Sequence, residues 1–137
     1  MSRIRTYLPW IWVGIVALLF MINAATLRFA LASYLQADVA ASTQLFASQV
    51  SARDLAWSVF AVLFLIRREA YLAAVLLLMR ITIDAQDVAS LLIGLAQGTQ
   101  PPRLIGAAVF TLALIALHAL AAWGLFRRVA ARQPPVA

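Results

Sequence analysis

The chain has no cysteine and no lysine, and it has few charged residues of either sign. Without cysteine it has no disulfides, no thiolate metal sites and no thiol chemistry. Charged residues make up only 12% of its 137 residues, whereas hydrophobic residues make up 65%. Soluble domains are about a quarter charged and about half apolar. The composition therefore predicts a membrane protein with one membrane domain.

The positive charge of the chain comes entirely from arginine. Eleven arginines give a formal net charge of +6. Most of them flank apolar runs, where positive charge sets membrane topology and meets anionic lipid. Outside those flanks there is no basic stripe of the kind that binds nucleic acid. We therefore expect membrane lipids, and no nucleic acid, as partners.

Four stretches are long and apolar enough to cross a bilayer, whose ~30 Å core requires about 20 helical residues. They are residues 8–32, 49–66, 70–95 and 104–126. Pro9 suits a helix start, where its missing N–H costs nothing. The more polar residues 33–51 are interpreted as a loop, with a short interfacial helix as the alternative. The fold class predicted is an all-α membrane protein, a four-transmembrane-helix antiparallel bundle. It forms a single domain over residues 1–128, followed by a cytoplasmic disordered tail over residues 129–137.

The arginines also predict the orientation, because they concentrate in cytoplasmic loops. With four spans, seven arginines lie on the side of the termini, and three flank the other side. The seven are Arg3, Arg5, Arg67, Arg68, Arg127, Arg128 and Arg132, and the three are Arg28, Arg53 and Arg103. We therefore predict a multi-pass protein of the bacterial inner membrane with both termini in the cytoplasm.

An alternative interpretation of the N-terminus is a signal peptide. Basic residues, an apolar run and small residues at 23–25 follow one another. Cleavage would remove residues 1–25 and leave three spans. The apolar run is longer than the hydrophobic region of a typical signal peptide, which favours a retained first span.

Charged residues inside the third span are the most informative feature. Arg80 lies about ten residues into that span, or ~15 Å at 1.5 Å per residue, near the bilayer midplane. Asp84 and Asp87 follow at i+4 and i+7, which places all three within about 60° of arc on one helix face. A lone charge at this depth costs at least ~2.5 kcal/mol. Pairing of Arg80 with Asp84 is the simplest way to reduce that cost.

Polar residues of the other spans fall at similar depths when the spans are aligned as antiparallel neighbours. The alignment predicts a polar cluster in the outer half of the bundle, with Arg28 and Asp87 nearer the outer surface and exposed to solvent. Its members are Asn23, Arg53, Asp54, Arg80, Asp84, Asp87 and His118. Such a cluster is either a structural network that holds helices together or a binding site for a lipid-like or small polar ligand. Arg53 and Asp54 are about 100° apart on their helix, so both need not face inward.

The cluster has no recognisable catalytic or metal-binding pattern. A metal site needs more ligands than one histidine and scattered aspartates. No Ser-His-Asp or paired-histidine spacing is present. We therefore assign no catalytic residues, metals or cofactors.

The second and third spans resemble the DoxX-like family of small four-helix bacterial membrane proteins. The stretches that carry the resemblance are Ala52-Arg53-Asp54-Leu55-Ala56-Trp57, Leu63-Phe64-Leu65-Ile66-Arg67-Arg68, Leu76-Leu77-Leu78-Met79-Arg80 and Asp84-Ala85-Gln86-Asp87. The family shares an Arg-Asp at the entry of the second helix, a short basic turn and an Arg…Asp…Asp pattern in the third. The resemblance covers residues 50–97 and implies a four-helix bundle in the inner membrane. Some members are associated with quinone-linked sulfur oxidation, but no quinone-binding motif occurs in this chain.

Three functions are compatible with these residues. The leading hypothesis is a non-enzymatic binding or accessory subunit with a charged pocket between helices, acting as a homo-oligomer or within a membrane complex. The second is a proton-coupled small-solute transporter that uses Asp84 or Asp87. The third is a membrane enzyme acting on a lipid or quinone.

Overall fold

The computed structural model describes residues 2–26, 41–100 and 102–131. Within those ranges the chain is all-helical, as predicted, with four α-helices and one short 3-10 helix, Pro102–Leu104, before the last of them. The α-helices are α1 (Ser2–Ala25), α2 (Ala41–Arg67), α3 (Ala70–Ala96) and α4 (Ile105–Ala130).

Three of these helices are long and apolar enough to cross a membrane. The membrane-compatible segments are Thr6–Ala25, Ser48–Arg67 and Ile105–Ala130. Large apolar side chains on them are exposed, such as Leu120 (68%) and Trp123 (66%), as expected of surfaces that face lipid. Helix α3 has the length, but it carries three charges in its central part. The three apolar helices support a membrane protein.

The first helix begins earlier than the sequence predicts. It starts at Ser2 rather than at Leu8, so Pro9 lies inside the helix instead of at its first turn. The prediction was wrong because it treated proline as a helix start. A proline inside a helix removes one backbone hydrogen bond, and here the Pro9 ring packs against Gly124 of α4. Residues 27–32 of the predicted span, with Arg28, lie outside the described residues.

The second helix also begins earlier. Residues 41–51, predicted as loop, form the first turns of one continuous helix that ends at Arg67. No glycine or proline occurs between Ala41 and Arg67, so nothing in the chain interrupts the helix. Hydropathy located the membrane-compatible part of the helix and not its first residue. Helix α4 likewise continues through Ala130, into the predicted tail, and residues 132–137 lie outside the described part of the chain.

Helix α3 ends in a glycine-dependent turn. Gly98 has a φ of 70°, and its N–H donates to the carbonyl oxygen of Leu95 at 3.1 Å. The N–H of Thr99 donates to the carbonyl oxygen of Gly94 at 2.9 Å. This pair of hydrogen bonds is the Schellman motif, which requires a left-handed residue that glycine supplies without strain. The chain can therefore turn directly into α4.

The chain divides into two compact units. The first unit contains Met1–Trp12 and Glu69–Ala137, and so includes the start of α1 with α3 and α4. Helices α3 and α4 pack against each other. The ring of Tyr71, at the start of α3, contacts the ring of Phe126, near the end of α4, with centroids 6.0 Å apart. The two helices are therefore antiparallel.

The start of α1 packs on the end of α4 in the same unit. A Cβ added to Gly124 would lie 2.8 Å from Cγ of Pro9, closer than carbon atoms approach each other. Farther along α1, the ring of Trp12 lies against the ring of His118. Gly124 thus provides the space that the Pro9 ring occupies.

The second unit, Val13–Arg68, contains the rest of α1 and α2. The Ser58 hydroxyl donates to the carbonyl oxygen of Ala17 at 2.9 Å, and the Ser51 hydroxyl donates to that of Ala24 at 2.8 Å. The later residue of α1 contacts the earlier residue of α2, so these segments are antiparallel. Small buried residues let the backbones come close enough for such bonds, as is typical of membrane helices.

We predict that Gly124→Ala destabilises the protein while Gly106→Ala does not. Both glycines lie in α4, but a Cβ at Gly106 would meet no atom within 4 Å. Overpacking against Pro9 should lower the free energy of unfolding by about 1–3 kcal/mol. Gly106→Ala should leave it unchanged or raise it by up to about 1 kcal/mol. Unfolding in mixed detergent–SDS micelles measures both. Equal values for the two variants would contradict the contact between the start of α1 and the end of α4.

Candidate functional site

Arg80 and Asp84 lie on the buried stripe of α3. The stripe repeats every three or four residues, the spacing of one helix face. Its buried members are Ala73, Ala74, Leu77, Arg80, Asp84 and Val88. Two charged residues thus occupy positions that otherwise hold packing side chains. Both side chains are therefore kept away from the exposed surface of α3.

These two residues form the ion pair that their i, i+4 spacing predicts. Nη2 of Arg80 lies 2.6 Å from Oδ1 of Asp84, and the side chains are only 11% and 4% exposed. A charged hydrogen bond of this kind is among the stronger ones in proteins. Breaking a buried pair by removing one partner usually costs more than the intact pair contributes, since it leaves an uncompensated charge.

His118 is the polar residue that α4 contributes to the same unit. It is 1% exposed and lies within electrostatic range of Asp84 and Arg80. Its Nδ1 lies 2.5 Å from the carbonyl oxygen of Leu114. A carbonyl only accepts, so Nδ1–H is the donor, and in the neutral imidazole Nε2 carries the lone pair. Nε2 is buried, and it has no hydrogen-bond partner among the described residues.

Trp12 brings an indole ring to His118. The two ring centroids are 5.7 Å apart, and the planes meet at 74°, an edge-to-face arrangement. The indole Nε1 is also buried, and the described part of the chain offers it no hydrogen-bond partner. We call Trp12, Arg80, Asp84 and His118 the Arg80 cluster. All four residues belong to the first unit.

A second polar group centres on Asp54 in the other unit. Asp54 is 0% exposed. Its Oδ2 accepts a hydrogen bond from Nδ2 of Asn23 at 2.5 Å, and its Oδ1 accepts one from Nε of Arg53 at 3.3 Å. The Arg53 side chain is 34% exposed, in keeping with the angular separation of two consecutive helical residues. We call Asn23, Arg53 and Asp54 the Asp54 group.

Asp87 differs from the other charged residues of α3 because it is exposed. The sequence placed it on one face with Arg80 and Asp84. The buried stripe, however, is centred near Leu77 and Asp84, and Asp87 lies about 60° from that direction at 100° per residue. Its place at the edge of the stripe accounts for its exposure. Asp87 therefore stands apart from the buried Arg80–Asp84 pair.

The sequence analysis did not single out Trp12, Ser51 or Ser58. An aromatic residue in an apolar run is indistinguishable by hydropathy from one that faces lipid. The sequence could have indicated the two serines, because Ser51, Asp54 and Ser58 are spaced three and four residues apart. That spacing places them on one face of α2. Interhelical hydrogen bonds from such residues are common in membranes.

Comparison with known proteins adds no assignment. No family model, curated protein or solved structure matches the chain. The DoxX-like resemblance of residues 50–97 therefore stays a prediction. Among the residues that the structure describes, no three His, Cys, Asp or Glu side chains are arranged to hold a metal ion.

We predict strong coupling between Arg80 and Asp84. Arg80→Met leaves a buried carboxylate, and Asp84→Asn leaves a buried guanidinium, so each should lower the free energy of unfolding by about 3–5 kcal/mol. The double variant should lose less than the sum of the two, with an interaction energy above about 1 kcal/mol. Asp87→Asn is the matched control and should leave stability unchanged. Additive losses measured by SDS unfolding would contradict a coupled pair.

Asn23 should stabilise the buried Asp54 carboxylate. Asn23→Ala removes one of its donors and should cost about 1–3 kcal/mol of unfolding free energy. The same substitution in an Asp54→Ala background should cost much less. Thr111→Val serves as a control, because the Thr111 hydroxyl donates to the carbonyl oxygen of Ala107 in its own helix. An Asn23→Ala effect that is independent of Asp54 would show that this hydrogen bond does not contribute.

Proposed function

We propose that the protein is a four-span inner-membrane protein of the DoxX-like kind. In this proposal it is a binding or accessory subunit that holds a small polar or lipid-like ligand at the Arg80 cluster. The observation that carries the proposal is the buried Arg80–Asp84 ion pair in the middle of α3, 2.6 Å between charged atoms.

The packing of α3 along α4 supports a fourth crossing. Helix α4 is apolar enough to cross a membrane. Helix α3 is antiparallel to it, and a short turn after Ala96 joins the two. At 1.5 Å per residue, the 27 residues of α3 extend about 40 Å, enough for a bilayer core of ~30 Å. A helix packed along a membrane-crossing neighbour crosses the same thickness, and its charges face inward.

Contacts in the first unit also support the predicted orientation. The Pro9–Gly124 and Tyr71–Phe126 contacts bring the start of α1 and the start of α3 to the end of α4. Arg127 and Arg128 lie in the last turn of α4. The N-terminal arginines and the basic end of α4 therefore share one side in this proposal. By the positive-inside rule that side is the cytoplasm.

A ligand explains why charges are retained where apolar residues would serve for packing. Replacing a buried ion pair by well-packed apolar residues is often neutral or stabilising. Ionisable residues inside membrane helices commonly mark ligand or ion pathways. Proton-coupled transport has weaker support, since Asp84 is engaged by Arg80 and Asp87 is exposed.

The proposal predicts a molecule that is retained only when the ion pair is intact. The full-length protein is purified in a mild detergent, and bound molecules are extracted and identified by mass spectrometry. Wild type and Asp87→Asn should retain the same species at similar occupancy. In the Arg80→Met/Asp84→Asn double variant the occupancy of this species should fall by a factor of about ten or more. That factor is equivalent to about 1.4 kcal/mol of binding free energy.

Two results would contradict this function. One is the absence of any species that distinguishes the wild type from detergent-matched blanks. The other is equal retention by the folded double variant. A folded double variant with full retention would favour a purely structural role for the pair.

A further inference from the structure

A seven-residue repeat runs along α3 on the face opposite its buried stripe. Its a positions are Leu72, Met79, Gln86 and Ile93. At 100° per residue, Gln86 lies about 180° around the helix from Leu77, in the middle of the buried stripe. All four a positions are exposed, for example Met79 at 55% and Ile93 at 57%. The repeat therefore follows the exposed face of α3.

The d positions of the same repeat carry small or β-branched residues. They are Val75, Thr82, Ala89 and Ala96. Val75 is half-buried, and the other three are exposed. Alternating intervals of three and four residues are the spacing of a coiled-coil seam. Small residues on such a seam let two membrane helices approach closely. We call the a and d positions together the α3 seam, and its pattern is that of a helix–helix contact.

Gln86 is the polar a position of the α3 seam. It lies about 24 Å from the start of α3 and about 15 Å from its end, at 1.5 Å per residue. In the proposed crossing that depth is inside the hydrocarbon core, where an amide without a hydrogen-bond partner is costly. The charged residues of α3 lie off the seam. Arg80 and Asp84 belong to the buried stripe, and Asp87 lies about 100° around the helix from Gln86.

We propose that the α3 seam is an interface between two copies of this chain. The two α3 helices pack in parallel around a two-fold axis along the bilayer normal. This inference rests on the proposed crossing of α3. Because every copy inserts with the same orientation, each seam residue meets its counterpart at equal depth. The two Gln86 side chains therefore face each other in the bilayer.

The glutamine side chain favours a second copy over lipid as the neighbour of the seam. Its amide has a carbonyl acceptor and two N–H donors, so two amides at one depth can satisfy each other. Acyl chains offer neither donor nor acceptor. In coiled coils, a polar residue at a single a position specifies the register and the number of helices. Two like charges facing each other would repel, and Asp87 is kept off the seam.

Cysteine cross-linking tests which surface forms the interface. The chain has no cysteine, so Met79→Cys and Ile93→Cys each introduce a single thiol on the seam and retain Gln86. Membranes that contain each full-length variant are oxidised with copper phenanthroline, and disulfide-linked dimers are quantified. Asp87→Cys is the control on another face of α3, and Leu112→Cys, at a position 50% exposed, is the control on α4. A disulfide requires Cα atoms within about 7 Å, so both seam variants should cross-link at least about tenfold faster than both controls.

The affinity of the pair tests the role of the amide. Copies labelled at Ala131→Cys with a donor or an acceptor dye are mixed in vesicles of phosphatidylethanolamine and phosphatidylglycerol. Energy transfer is measured over a range of protein-to-lipid ratios. Gln86→Leu should raise the dimer dissociation constant roughly three- to thirtyfold, the range that interhelical hydrogen bonds give in membranes. Gln86→Asn, which retains an amide, should raise it less, and Asp87→Asn should leave it unchanged.

Three results would overturn the inference. They are energy transfer no greater than that of randomly distributed monomers, faster cross-linking of Leu112→Cys than of the seam variants, and an unchanged dissociation constant in Gln86→Leu. Reaction of Gln86→Cys with a membrane-impermeant maleimide then separates this failure from that of the proposed function. If the maleimide does not react, α3 crosses the bilayer and only the interface is wrong. If it reacts, α3 does not cross, and both fail.

Discussion

The ion pair between Arg80 and Asp84 constrains everything around it in the first unit. In the proposed four-span arrangement, its two charges are acceptable at membrane depth only if they remain paired and face away from lipid. That requirement fixes which face of α3 packs inward, and α4 packs against α3. His118 of α4 lies within range of both charges, and Trp12 of α1 lies on His118. The inward orientation of this face of α3 therefore brings the polar groups of the Arg80 cluster together.

In the second unit, too, polar contacts hold the helices together, and most of them come from smaller side chains. In a lipid environment, apolar side chains give no preference for a helix neighbour over lipid, so close packing and polar contacts drive association. Serine hydroxyls donate across α1 and α2 to backbone carbonyl oxygens, and small residues allow that approach. Between the two serines, the Asp54 carboxylate is buried and is held by Asn23 and Arg53. Among the described residues, the buried carboxylates of Asp84 and Asp54 thus each lie within reach of a donor.

The sequence predicted those features that depend on strong local signals. The apolar third and fourth segments and the glycine–proline loop between them gave the ends of α3 to within one residue, and the i, i+4 spacing gave the Arg80–Asp84 pair. The starts of α1 and α2 were missed, because helices there extend beyond the apolar segment and Pro9 is accommodated by Gly124. The inward positions of Trp12 and Ser51 depend on which faces meet in three dimensions. Hydropathy does not indicate which helix faces pack together.

The central claim of the proposed function is that α3 crosses the bilayer with its ion pair at membrane depth. The absence of cysteine allows single cysteines to be labelled in a silent background. Gln97→Cys lies after α3 and Ala131→Cys lies after α4, and both positions are exposed. In intact spheroplasts, a membrane-impermeant maleimide should label Gln97→Cys and should reach Ala131→Cys and Ser2→Cys only after permeabilisation. Labelling of Ala131→Cys from outside, with Ser2→Cys protected, would mean an odd number of crossings and would contradict the claim.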